Sequence, residues 1–237
     1  MWRKVFSYTK EYLDSFKHLF YPHICLGCGL DTIVKEHILC DECIKSLPHT
    51  GFFEIKENEV EKIFWGRVDC QVAASLLFFT KESLVQKIIM GLKYQQNKTA
   101  GLHLGELMGI AIQKSAPMQY IDYLVPIPIT KQKSKKRTYN QSLLLCIGIQ
   151  KILPHLSIQD CMKKNKATPT QTLQNRLQRE NIRDNVFELD TQKQIKGKHI
   201  LVVDDIITTG ATLEAAFLCL VAAKPSSISF ATAAYTI

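Results

Sequence analysis

Asp204 and Asp205 stand side by side and are followed by Ile206-Ile207-Thr208-Thr209-Gly210-Ala211-Thr212. Two neighbouring carboxylates accept hydrogen bonds from the hydroxyls of a sugar. A Thr-Thr-Gly turn that opens directly into a helix offers backbone N–H groups and the positive end of a helix dipole to an anion. Thr208 and Thr209 add hydroxyls that bond locally or outward, and Gly210 lets the backbone approach a ligand closely. Acids followed by an anion nest suit a sugar phosphate, carboxylates on the ribose hydroxyls and N–H groups on the phosphate. The elements that must hold this chemistry are legible on either side. Ile200-Leu201-Val202-Val203 reads as a strand buried on both faces and therefore parallel, with the acids at its carboxyl edge. Ala211 to Ala223 reads as the helix that follows.

A second chemistry lies in Cys25-Leu26-Gly27-Cys28 and Cys40-Asp41-Glu42-Cys43, four of the eight cysteines. Two Cys-x-x-Cys turns this close together suit one tetrahedral zinc ion held by four thiolates. Gly27 and Gly29 give the first turn room to present two sulfurs to one ion. A closed four-thiolate shell leaves the metal no open position, so zinc is assigned to folding and not to catalysis. The alternatives are a disulfide framework, which nothing indicating secretion supports, and a redox pair, which fits two paired motifs less well. His23 and His37 lie near the thiolates as spectators. Cys70, Cys146, Cys161 and Cys219 stand singly among apolar residues and read as core.

The chain of 237 residues carries 30 basic and 22 acidic side chains. Its net charge of +8 favours anionic partners without choosing between phosphates and nucleic acid. The densest basic run is Lys131-Gln132-Lys133-Ser134-Lys135-Lys136-Arg137. No apolar run is long enough to span a bilayer. The first residues, with Lys10, Glu11, Asp14 and Lys17 among apolar neighbours, form an amphipathic helix pattern and not a signal-peptide core. A cytoplasmic protein without membrane insertion is expected. Residues 1–20 are read as that helix, 21–50 as the zinc module, and 68–237 as the main domain. Residues 51–67, with Gly51, Asn58 and mixed charge, read as a linker.

Within the main domain, Val68 to Phe79 reads as one long or two short strands. Glu82 to Lys93 and Ala100 to Lys114 read as helices with one apolar face, and Tyr123 to Pro128 as a strand ending in a proline-stiffened edge. Helices are expected at Gln141 to Ile152 and about Thr172 to Arg183, and a last strand at Ser227 to Ala233. This alternation specifies an α/β fold, a mainly parallel sheet flanked by helices. Ligands in such folds bind beyond the carboxyl ends of the strands. Two of those ends carry informative loops, 126–141 and 204–212. The basic run therefore lies where it can offset the charge of a pyrophosphate or close over it.

The segment from Asp204 to Thr212 resembles the phosphoribosyl pyrophosphate (PRPP) motif of type I phosphoribosyltransferases. From about Pro22 onward the chain resembles the ComF (ComFC/GntX-like) family of competence proteins. The resemblance rests on the double Cys-x-x-Cys, Ile88-Ile89-Met90-Gly91-Leu92-Lys93-Tyr94, Val125-Pro126-Ile127-Pro128 and Lys136-Arg137-Thr138-Tyr139-Asn140-Gln141. Thr170-Gln171-Thr172 with Arg176, Arg179 and Phe187, and then the PRPP motif, complete it in the family's order. It implies a zinc finger fused to a phosphoribosyltransferase fold, and a role in natural transformation, where incoming single-stranded DNA is handled in the cytoplasm. Carried over residue by residue, Asp204 and Asp205 hold the ribose hydroxyls, with magnesium. Thr208, Thr209, Gly210, Ala211 and Thr212 cradle the 5′-phosphate, and Lys93 and Arg137 sit on the pyrophosphate side. Two departures stand out: Thr138-Tyr139 replace the family's Gly-Phe, and Ile182 stands where the family has asparagine. Thr208 stands where purine-salvage enzymes place an acid, which disfavours purine salvage.

Two functions fit these residues. In the first, a zinc-bearing, PRPP-binding DNA-uptake factor contacts single-stranded DNA through Lys133, Lys135 and Lys136, with Tyr139 as a stacking face, and works beside a DNA-uptake helicase. In the second, an active phosphoribosyltransferase moves ribose 5-phosphate to a nitrogen acceptor and releases pyrophosphate, magnesium chelating the ligand's oxygens. A third, a regulatory module that senses PRPP for a partner, is not separated from the first by sequence. No catalytic residue and no acceptor are assigned.

Overall fold

The strands are β1 (Ala73–Phe79), β2 (Tyr123–Pro126), β3 (Ser157–Ile158), β4 (Met162–Lys164), β5 (Phe187–Leu189), β6 (His199–Ile207) and β7 (Ser227–Thr236), and β-branched and apolar residues dominate the long ones, β1, β6 and β7. Five of them form one sheet in the order β1-β7-β6-β2-β3, every pairing parallel. β4 and β5 pair antiparallel in a small second sheet. A parallel sheet is covered on both faces, and His199 to Val203 in the central strand are accordingly all buried. The computed structural model describes residues 24–31, 38–94, 98–129, 139–165, 186–190 and 194–237. It divides into two units, Met1–Leu47 and Pro48–Ile237. The helices are α1 (Asp41–Lys45) in the first unit, then α2 (Glu59–Lys62), α3 (Leu84–Tyr94), α4 (Lys98–Lys114), α5 (Gln141–Ile152) and α6 (Ala211–Val221) in the second. No helix among the described residues is long and apolar enough to cross a membrane.

The expected mainly parallel α/β fold is present, with differences of extent. The first strand starts at Ala73 and not at Val68, because residues 68–72 approach β7 through only scattered bonds such as Gln71 N–H to Ile228 O. β6 runs four residues past Val203, so both acids lie inside the strand. The short strands β3, β4 and β5 were not anticipated, since two or three residues carry too little alternation to register. The helix expected at 172–183 and the one at 1–20 lie outside the described residues.

The segment expected as a linker, 51–67, is folded into the second unit. Phe52, Phe53, Val60 and Phe64 are buried. Thr50 N–H bonds Leu76 O at 3.0 Å and Phe78 N–H bonds Pro48 O at 2.9 Å, covering the outer edge of β1. Asn58, which read as a loop signal, is 3% exposed. It caps α2 by accepting from the N–H groups of Val60 and Glu61. Its Nδ2 donates to the carbonyls of Phe52, Ile55 and Ala73 at 3.3, 3.0 and 3.0 Å. The capacity of asparagine to bond backbone groups, which favours loops, here ties the segment to β1.

What positions the site is a close helix contact. Gly101, Gly105 and Gly109 lie one turn apart on α4 and meet α5. A Cβ at Gly105 would stand 2.3 Å from Leu145 O, and one at Gly148 would stand 2.2 Å from Leu102 O. Only bare backbone lets the helices approach so far. This seats α5 with its first turn, capped by Asn140, at the carboxyl edge of β2 and β6. Cys146 and Cys161 are buried as expected, whereas Cys70 and Cys219 are half-buried.

Candidate functional site

In the first unit the four sulfurs of Cys25, Cys28, Cys40 and Cys43 lie within 4.8 Å of one another. Gly29, at φ 76°, lets its N–H return to Cys25 O at 2.9 Å and closes the first turn. Cys40 precedes α1, whose first turn carries Cys43. Metal–sulfur bonds of about 2.3 Å in a tetrahedron give sulfur–sulfur edges of about 3.8 Å, and Cys28 Sγ stands 3.8 Å from Cys40 Sγ. The donor set therefore fits a tetrahedral metal. Burial raises the Cys25 thiol, but the N–H groups of Cys28, Cys40 and Gly27 outweigh it and hold the group at about 6. Burial and the neighbouring sulfurs push Cys43 up to about 12. A metal that takes all four as thiolates must displace protons.

The second site opens where two neighbouring strands stop at different heights. β2 ends at Pro126, opposite Val203, and Ile127 N–H makes a bond to Val203 O at 3.0 Å. β7 continues beside β6 as far as Ile207. Asp204 and Asp205 thus have a strand on one side and a cleft on the other. Ser142 Oγ donates to Asp204 Oδ1 at 3.0 Å, and the N–H of Asp205 donates to the same oxygen at 2.9 Å. Lys93 Nζ, from the last turn of α3, pairs with Asp205 Oδ2 at 2.9 Å. Burial, and then the charge of Asp205, push the Asp204 carboxyl up to about 7, against the Asp205 N–H, Ser142 and the charge of Lys93. Gln141, Lys164 and Thr212 join these groups around a cavity of ≈180 Å³.

Behind the cleft, the turn Thr208-Thr209-Gly210 leads into α6. Gly210 has φ 73°, which a side chain rarely adopts, and a Cβ there would lie 2.8 Å from Ile63 Cγ2 and 2.9 Å from Phe64 Cε1. The glycine is thus required by internal packing as well as by backbone conformation. Arg67 Nη1 donates to Thr209 O at 2.8 Å and to Ile63 O at 3.0 Å. Its other terminal nitrogen pairs with Glu214, whose side chain is 7% exposed. Residues 58–67 form the back wall of the turn.

Of the residues singled out from sequence, Asp204, Asp205, Lys93 and Thr212 line one cavity. Thr208 and Thr209 are exposed in the turn, and Gly210 and Ala211 begin α6. Tyr139 is half-buried and its hydroxyl donates to Leu92 O at 2.7 Å, a packing contact. Lys133, Lys135, Lys136 and Arg137 lie outside the described residues. Sequence reasoning missed Ser142, Lys164, Arg67 and Glu214. Ser142 had a usable signal, standing two residues after a capping Asn at the end of the basic loop. Lys164 had none, since it ends a three-residue strand; its Nζ lies 5.1 Å from the centroid of the Phe187 ring.

The central strand of this parallel sheet carries vicinal acids and is followed by a turn into a helix, and residues 152–236 match the family model described as a phosphoribosyl transferase domain. The wider relatives are competence and DNA utilization proteins. The DNA utilization protein YhgH of Escherichia coli (strain K12) is 28% identical over 194 residues, covering 80% of this chain and 74% of that protein. Competence protein F of Haemophilus influenzae is 28% identical over 204 residues, covering 82% and 89%. Competence protein ComFC of Bacillus subtilis is 34% identical over 108 residues, covering 45% and 41%. These homologues, the domain match and the four-cysteine cluster bear out the resemblance to the ComF family. Among solved structures, a hypoxanthine phosphoribosyltransferase from Staphylococcus aureus aligns with TM-score 0.38 at 16% identity, covering 67% of this chain and 83% of that one.

Proposed function

We propose that this protein is a ComF-type factor for DNA uptake in natural transformation that binds PRPP with magnesium in the cleft between β2 and β6. The observation that carries the reading is the pair Asp204 and Asp205, braced by Ser142 and Lys93 beside the start of α6. Asp204 and Asp205 take the ribose hydroxyls. The backbone of Thr208 to Thr212 takes the 5′-phosphate at the positive end of α6, and Lys93 and Arg137 face the pyrophosphate. Magnesium, when bound with PRPP, offsets the charge that the pyrophosphate brings next to the acids. Lys93 holds Asp205 oriented, and Ser142 and the Asp205 N–H fix one oxygen of Asp204. The four cysteines hold structural zinc. The basic loop at Lys133, Lys135 and Lys136 tracks the phosphates of single-stranded DNA, with Tyr139 at its border, in the cytoplasm and beside a helicase of the uptake machinery.

Calorimetric titration of zinc-loaded protein with PRPP and magnesium tests the cleft. Micromolar binding is expected, and its loss in Asp204→Asn/Asp205→Asn; no binding by folded wild type removes PRPP from the account. Lys133, Lys135 and Lys136 changed together to Glu test the loop: unchanged DNA affinity and salt slope would remove it as the contact surface. A second reading, transfer of ribose 5-phosphate to a nitrogen acceptor, draws support from the two lysines and two acids that line one cavity. It requires acceptor-dependent release of pyrophosphate, and silence across amines, bases and ammonia would end it.

A further inference from the structure

Gln141 is the first residue of α5 and is 2% exposed. The residue lines the cleft, and its buried Nε2 has no hydrogen-bond partner among the described residues. A buried amide donor left without an acceptor is costly, and native structures keep few of them. We propose that Gln141 donates to the pyrophosphate arm of the ligand and so makes the site prefer PRPP over ribose 5-phosphate. This rests on the PRPP reading of the cleft and names a residue that the reading did not use.

Topology gives the arm. β2 and β6 are neighbours, and their carboxyl ends flank the cleft. The phosphate turn leads from β6 into α6, on one side of the acids. Gln141 begins the helix that packs against β2 and β6, on the other side. Ser142, the next residue, bonds Asp204, so a ribose held by Asp204 lies between the phosphate turn and Gln141. A group reaching Gln141 from that ribose points away from the 5′-phosphate. The chemistry agrees. Lys93 and Lys164 line the same cavity, and the start of α5 adds the positive end of a second helix. Lys93 is paired with Asp205, and the ammonium of Lys164 and the amide of Gln141 share the cavity to meet anionic oxygens.

The test uses the full zinc-loaded chain, with Gln141→Met to remove the donor at similar length and Gln141→Glu to place a carboxylate there. Calorimetry with magnesium compares PRPP, ribose 5-phosphate and pyrophosphate. Gln141→Met is expected to weaken PRPP and pyrophosphate by about ten- to a hundredfold, the worth of a hydrogen bond to a charged group. Ribose 5-phosphate should stay within about twofold of wild type, while Gln141→Glu loses more of PRPP than Gln141→Met does. Without ligand, Gln141→Met should melt a few degrees higher, since an apolar side chain replaces an unmet donor. A residue with only a structural role would move that melting point the other way. Wild-type PRPP affinity in Gln141→Met, equal loss of PRPP and ribose 5-phosphate, or a lower unliganded melting point would each overturn the proposal. If wild type binds PRPP and Gln141→Met matches it, this inference alone falls. If wild type binds no PRPP, the reading of the cleft falls with it.

Discussion

Arg67 joins the back wall to the turn at Thr208–Gly210, and removing it gives a measurable stability cost. Its guanidinium pairs with Glu214 on α6 and donates to Thr209 O at 2.8 Å. Breaking a fully buried ion pair from one side costs about 3–5 kcal/mol. Here Glu214 is 7% exposed but Arg67 is 31% exposed, so water partly replaces the lost cation and about half of that survives. The bond to Thr209 adds about 1 kcal/mol. Arg67→Met should therefore lose about 2–4 kcal/mol. Glu214→Gln should lose less, because the remaining guanidinium keeps Thr209 and Ile63 and reaches solvent. The double variant should cost little more than Arg67→Met alone, leaving a coupling of at least about 1 kcal/mol. Urea unfolding of all four proteins measures this; with a slope near 2 kcal/mol/M, Arg67→Met shifts the midpoint by about 1–2 M. Additive effects, with coupling below about 0.5 kcal/mol, would refute the idea that the pair acts as one strap.

Three further outcomes are expected. Gly148→Ala should lower stability by at least about 1–3 kcal/mol in urea unfolding, because its Cβ would stand 2.2 Å from Leu102 O and helices α4 and α5 must part; a neutral substitution would contradict the close approach. Asp204 has a folded pKa raised to about 7 by burial and then by Asp205, so its contribution is fully present below about pH 4 and is lost as pH rises through about 7. Asp204→Asn, which lacks that titration, should gain on wild type by about 2–4 kcal/mol between those limits in unliganded melts; a pH-independent gap would refute it. Removing metal with a chelator should release zinc measurable by a colorimetric dye and open the 24–47 region to protease, while the residues of the parallel sheet keep their protection from hydrogen exchange; intact resistance after metal loss would show that the cysteines need no ion.

The sheet and the residues that meet at the candidate cleft were legible because their signals are local. The apolar run Ile200 to Val203, the acids and the Thr-Thr-Gly turn are contiguous, and strand, cleft and helix follow in that order. Where the strand stops was not legible. β6 extends through both acids because β7 goes on pairing with it, a fact about residues 227–236 and not about 200–207. The segment 51–67 misled for a related reason: mixed charge and Asn58 resemble a linker until Ala73 O and Phe52 O are placed around the asparagine amide. Ser142, Arg67 and Glu214 join the site through pairs such as Ser142–Asp204 and Arg67–Glu214, far apart in the chain. No periodicity reports such meetings.

The position of β1 at the sheet's edge bears on how the molecule is made. Its inner edge pairs with β7 alone, Ala73 opposite Phe230. On a ribosome adding about 5–20 residues per second, that strand emerges roughly ten to thirty seconds before its neighbour exists. Ala-Ala-Ser-Leu-Leu-Phe-Phe waits through that interval with a sticky, half-finished edge, the kind of segment that chaperones shield and aggregates recruit. The delay also makes late truncation severe. A nonsense codon just ahead of Ser227 spares the acids, the turn and α6, yet it removes the strand that joins β1 to β6, so the nascent protein would carry the residues that line the cleft on a sheet cut to β6, β2 and β3, with β1 detached.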